Sequence, residues 1–108
     1  MFILYFLVNK TMELIEQEPH FWELYQDDNQ YYLGIAVDMS SVVSCWDIFL
    51  TAEQINVYQQ QGRESITVLA KHIVDAVYRG DFSYLKQHQV SPEQTQAMQM
   101  AFQKWRAR

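Results

Sequence analysis

The stretch from Tyr31 to Gln61 limits the fold more than any other part of this chain. Tyr31, Leu33, Ile35 and Val37 alternate with Tyr32, Gly34, Ala36 and Asp38, which is the two-residue period of a strand. Ser40 and Ser41 turn the chain, and a second alternating run follows from Val42 to Leu50. Its more apolar side carries Val42, Ser44, Trp46, Ile48 and Leu50; the other carries Val43, Cys45, Asp47 and Phe49. Thr51 and Gln54 then have capping-box spacing, Glu53 complements the helix dipole, and Gly62 supplies a stop. Strand, turn, strand and capped helix in that order predict a sheet with helices laid over it. The small residues Gly34 and Ala36 would let a helix approach closely.

The flanking segments extend this plan. Phe2 to Val8 is apolar and rich in aromatic and β-branched residues. The eight residues from Met1 to Val8 would span only about 12 Å as a helix, against a hydrocarbon core of about 30 Å. No basic residue precedes the run and no small-residue cleavage site follows it, so a buried strand is expected rather than a signal or membrane segment. Met12 to Glu18 fits neither strand nor helix period cleanly, and strand is preferred. Pro19 breaks the pattern, His20 to Gln26 alternates again, and Asp27, Asp28 and Asn29 form a turn.

Downstream, Ile66, Leu69, Ala70, Ile73, Val74 and Val77 form the apolar stripe of a helix over residues 64–78, ended by Gly80. Asp81 can cap a short helix holding Phe82 and Leu85. Ser91, Pro92 and Gln94 open a last helix whose stripe is Met98, Ala101, Phe102 and Trp105. The expected fold is a single α+β domain over residues 1–108. Its N-terminal antiparallel sheet of four to five strands is covered on one face by three to four C-terminal helices. A chain of 108 residues buries roughly 65% of its unfolded surface, enough for a core without disulfides or metal. Cys45 is the single cysteine and has no internal partner, which favours a reducing compartment, the cytoplasm.

Charge is divided along the chain. Residues 1–53 hold nine acids against Lys10 alone, residues 54–108 hold four acids against seven bases, and the net charge is −5. An acidic half of this kind repels nucleic acid and attracts basic protein partners. The basic, aromatic end formed by Lys104, Trp105, Arg106 and Arg108 is outweighed by the overall acidity, so nucleic acid is not an expected partner.

No catalytic or cofactor motif is present. Cys45, His72 and an acid could be imagined as a nucleophilic trio, but Cys45 lies mid-strand and not at a helix N-terminus. His20, His72 and His88 have no metal-ligand spacing, and the three glycines stand alone, so no metal, phosphate or cofactor site is expected. Asp38 and Asp47 each sit inside an apolar strand, and pairing across the Ser40–Ser41 turn could bring them near each other. Aromatic residues cluster with acids from Phe21 to Tyr32, the usual makings of a surface for a basic protein.

The run YYLGIAVDMSS, a strand closing on Leu50, and LTAEQINVYQQQGRESITVLAKHIVDAV together resemble the pattern of small bacterial immunity proteins. These neutralise toxins of contact-dependent inhibition and related polymorphic toxin systems. The resemblance covers about residues 30–78 and rests on a strand, an LT-x-E helix start and a Tyr four residues before a Gly. It implies a cytoplasmic, non-catalytic protein that occludes the active site of one cognate toxin domain, often a basic nuclease. With the acidic half in view, the expected partner-binding residues are Glu23, Asp27, Asp28, Asp38 and Asp47, with Trp22 and Tyr32 as apolar anchors. The alternative is a non-catalytic adaptor that oligomerises through a helical stripe or a self-pairing strand edge; a small hydrolase ranks third.

Overall fold

A computed structural model describes residues 12–107. The element order is β1 (Glu13–Glu18), β2 (Trp22–Asp27), β3 (Gln30–Asp38), β4 (Val43–Phe49), α1 (Ala52–Gln61), α2 (Arg63–Tyr78), α3 (Ser83–Gln87) and α4 (Pro92–Arg106). The four strands form one antiparallel sheet in the order β1-β2-β3-β4. This is the expected α+β arrangement with its N-terminal sheet. The strand expected at Phe2 to Val8 lies outside the described residues.

Turn chemistry sets the register. Asp28 occupies the left-handed region at φ 61°, which a short polar side chain tolerates, and Asp27 pairs with Gln30 across it. At the next hairpin Ser40 takes φ 74°, its amide donates to Asp38 Oδ1 at 3.1 Å, and Asp38 pairs with Val43. The mixed period of residues 12–18 has a physical cause: the β1–β2 register shifts between Leu14 and Glu16. Leu14 and Ile15 pack into the cores on opposite faces of the sheet, as successive strand residues do, so both are apolar.

Both faces of the sheet are covered. On one, Trp22, Leu24, Leu33, Ile35, Val37 and Ile48 pack with Ile66, Ala70, Ile73 and Val77 of α2 and Leu85 of α3, and α1 adds Ile55 and Tyr58. The α2 stripe read from the sequence is thus used inside the chain. On the other, a smaller cluster joins Met12, Tyr25 and Tyr32 to Val90 and to Met98 and Ala101 of α4. Three helices therefore share one face, and α4 takes the face that Gly34 keeps low. The change of side occurs along β4. Gln89 bridges to Ile48, with Phe49 N donating to His88 O and Val90 N to Asp47 O, each at 3.0 Å.

Both expected capping boxes form, at Thr51/Gln54 and Ser91/Gln94. The Asp81 carboxylate accepts from the Ser83 amide and hydroxyl, so α3 starts one residue past Phe82. No helix among the described residues is long and apolar enough to cross a membrane.

Candidate functional site: a carboxylate pair around Gly34

The register places Gln17, Glu23, Gly34 and Asp47 in one row across all four strands, on the face covered by α4. Side chains in such a row share a face and lie within reach of their neighbours. Gly34 has no Cβ, and the space is taken by its neighbours' carboxylates. A Cβ at Gly34 would meet Glu23 Oε1 at 3.1 Å, Asp47 Oδ1 at 3.2 Å and Met98 Cε at 3.8 Å. The two carboxylate oxygens therefore lie within about twice that distance of each other.

They open into a cavity of about 330 Å³ lined also by Tyr25, Cys45, Phe102 and Arg106. A larger hollow of about 630 Å³ lies between the β2–β3 hairpin and α1, but no charged side chain lines it. Volume alone does not select a site; convergent ionisable groups do.

The electrostatics of the pair are unfavourable to its own charge. Burial pushes the Glu23 carboxyl above its usual range, and the neighbouring Asp47 charge adds to that. Burial likewise raises Asp47, opposed by a hydrogen bond from the Thr95 side chain. The Tyr25 phenol is raised by burial first, then by Glu23 and Asp47. Among the described residues the ion pairs are those of Arg63 with Glu16 and Glu18, so neither Glu23 nor Asp47 has a cationic partner there. Arg106 lines the same cavity with its Cζ 5.9 Å from the Phe102 ring.

The expected site residues separate into groups. Glu23 and Asp47 come together. Asp27 sits at the β2–β3 hairpin, close enough for its charge to raise the Tyr32 phenol after burial, and Asp28 is exposed at the turn. Asp38 lies at the other end of β3. The expectation that it approaches Asp47 is corrected, because Asp38 pairs with Val43 whereas Asp47 pairs with Gly34, four residues away along β3.

Trp22 and Tyr32 are also corrected as surface anchors. Trp22 is 0% exposed in the larger core, and Tyr32, 6% exposed in the smaller one, accepts a hydrogen bond from Gln94 Nε2 at 3.3 Å. A ring already packed inside the chain cannot fill a partner's pocket. Sequence reasoning placed Tyr25 in the aromatic and acidic cluster, Gly34 under a helix and Met98 on an apolar stripe, but assigned none of them, nor Thr95 or Arg106, to this site. The usable signal was the pair of tight turns, which fixes which residues of β2 and β4 flank Gly34.

The nucleophilic trio is not assembled. Cys45 lines the α4-side cavity, while His72 belongs to α2 on the opposite face and His88 stacks on Tyr84 with centroids 4.1 Å apart. No group of three or more His, Cys, Asp or Glu among the described residues could hold a metal ion. What the arrangement offers chemically is a half-buried cleft that sets two carboxylates against an apolar and aromatic wall, with Arg106 also in its lining. Such a cleft suits an ammonium or guanidinium group, whose charge would relieve the repulsion between the carboxylates. Compared with family models, curated proteins and solved structures, the chain matches none, so the reading of the site rests on this geometry.

Proposed function

We propose that this chain is a non-catalytic inhibitor: an immunity protein of the cytoplasm that neutralises a cognate bacterial toxin domain by covering its active site with an acidic surface. The observation that supports it is the Glu23–Asp47 pair around Gly34. Two carboxylates held close together and half-buried, with no ion-pair partner among the described residues, cost the fold stability. A basic side chain of a partner would turn that cost into affinity. A toxin that handles nucleic acid presents such side chains in its active site, so a basic nuclease fits best. Asp27 and Asp28 at the adjoining hairpin would steer the encounter, and Asp38 would contribute at the far rim.

The test is to express the protein encoded by the reading frame beside this chain's own, alone and with this chain. The proposal predicts growth arrest by that protein alone and rescue by the chain. It predicts at least a tenfold weaker complex for E23K/D47K. Arrest that persists with the chain present, or rescue unaffected by E23K/D47K, would contradict it.

A further inference from the structure

Among the described residues β4 is an edge strand, and only part of its outer edge is used. Along a strand the backbone groups of alternate residues point to the same side. Phe49 N and Asp47 O serve the outer side, where they bond His88 O and Val90 N. Alternation puts the N–H and C=O of Val43 and Cys45 on that side too. Among the described residues no hydrogen bond from beyond β3 reaches those groups.

Three of the usual protections of an edge are missing there. The segment holds no Lys and no Pro, and its pairing with β3 runs without a bulge. Val42 and Val43 are 61% and 58% exposed. Charge then says what kind of strand fits. Asp38 lies across from Val43 at one end of the open edge, Asp47 closes the other, and Cys45 lines the cavity that holds Glu23 and Asp47. A second copy of this acidic chain would bring like charges together, whereas a basic strand would not.

We propose that the partner adds a strand to β4 at Val43–Cys45 and sends a basic side chain into the Glu23–Asp47 cavity. This rests on the inhibitor reading above and specifies how the partner docks. A residue directly opposite Cys45 shares its face, so the basic residue sits there, and an apolar residue two positions away meets Val43. Main-chain bonds supply the grip, and the acid pair supplies the selectivity.

The full-length chain can be tested with a synthetic eight-residue peptide in which Thr-Val-Thr-Arg is repeated twice. Two controls carry Glu in place of Arg, or N-methyl groups on alternate amides. Hydrogen exchange at the Val43 and Cys45 amides should slow at least tenfold with the Arg peptide and remain unchanged with either control. Val43→Pro removes an outward amide and should abolish protection at Cys45. E23Q/D47N should weaken peptide binding at least threefold. Charge-dependent binding without protection of these amides would overturn strand addition while leaving the acidic-surface reading standing. Protection by Arg and Glu peptides alike would overturn the basic partner while leaving the edge. Absence of binding at millimolar peptide, or protection that grows with protein concentration alone, would overturn the proposal, the latter by assigning the edge to a second copy.

Discussion

On one face of the sheet, Leu24, Leu33 and Ile48 are fully buried against α2 and α3, and Arg63 at the margin is paired with two carboxylates. Arg63 binds Glu18 at 2.6 Å and Glu16 at 3.6 Å, donates to Gln17 O at 3.0 Å, and lies with its Cζ 5.0 Å from the Trp22 ring. On the other face, α4 covers a smaller cluster and lies against two carboxylates that repel each other. The first face is arranged for stability. The second gives up stability where Glu23 and Asp47 meet, and the open edge of β4 adjoins that place. The contrast teaches that the acidity of the first half of the chain is not uniform: Glu16 and Glu18 are paired with Arg63, whereas Glu23 and Asp47 have no ion pair among the described residues.

Side-chain truncation should separate the faces most strongly. Leu33→Ala should cost about 4 kcal/mol and Met98→Ala about 2 kcal/mol, since the smaller cluster relaxes more readily around a lost side chain. Urea denaturation checks the order; equal losses would mean that α4 is as firmly packed as α2. Ser91→Ala removes the cap that starts α4 and should cost about 1 kcal/mol. Hydrogen exchange should then quicken in α4 before α2. Arg63→Ala should cost about 0.5 to 1 kcal/mol, because the pair is partly exposed and solvent-screened while its stacking on Trp22 is also lost. Raised salt should shrink that difference. Smallest, and opposite in sign, Glu23→Gln or Asp47→Asn should raise stability at neutral pH by a few tenths to about 1 kcal/mol, by removing a charge that burial disfavours and, second, the repulsion that Asp47 exerts on Glu23. A loss of stability in both variants would show that the carboxylates hold α4 down rather than strain it.

Much of this was legible in the residues themselves. The alternation of β2, β3 and β4, both capping boxes and the stops at Gly62 and Gly80 are local signals, and each appears where local physics puts it. The low relief at Gly34 does admit a helix. The side of the sheet that α4 takes was not legible, because an apolar stripe states which face of a helix is buried and not against what. Nor was the carboxylate pair, since it depends on two hairpin registers at once. Trp22 and Tyr32 misled for a related reason: in so small a domain a large aromatic ring serves the core first.

The central claim is that ionised Glu23 and Asp47 work against the fold, and the pH dependence of stability tests it most directly. Both carboxyls are raised by folding from ordinary values of 4.5 and 3.8. The folded state therefore holds protons that the unfolded chain has released, and stability falls as pH rises through that window. Their contribution is fully present below the ordinary values and lost above the raised ones. Asp81, lowered by its hydrogen bonds to Ser83, acts in the opposite sense, which makes the difference between proteins the useful quantity. Unfolding free energies of the natural chain and of E23Q/D47N should be measured from about pH 7 down to about pH 4. The account predicts that the double variant is the more stable at pH 7 and that its advantage disappears on acidification. A natural chain that is the more stable at pH 7, with an advantage that shrinks as the carboxyls protonate, would contradict it.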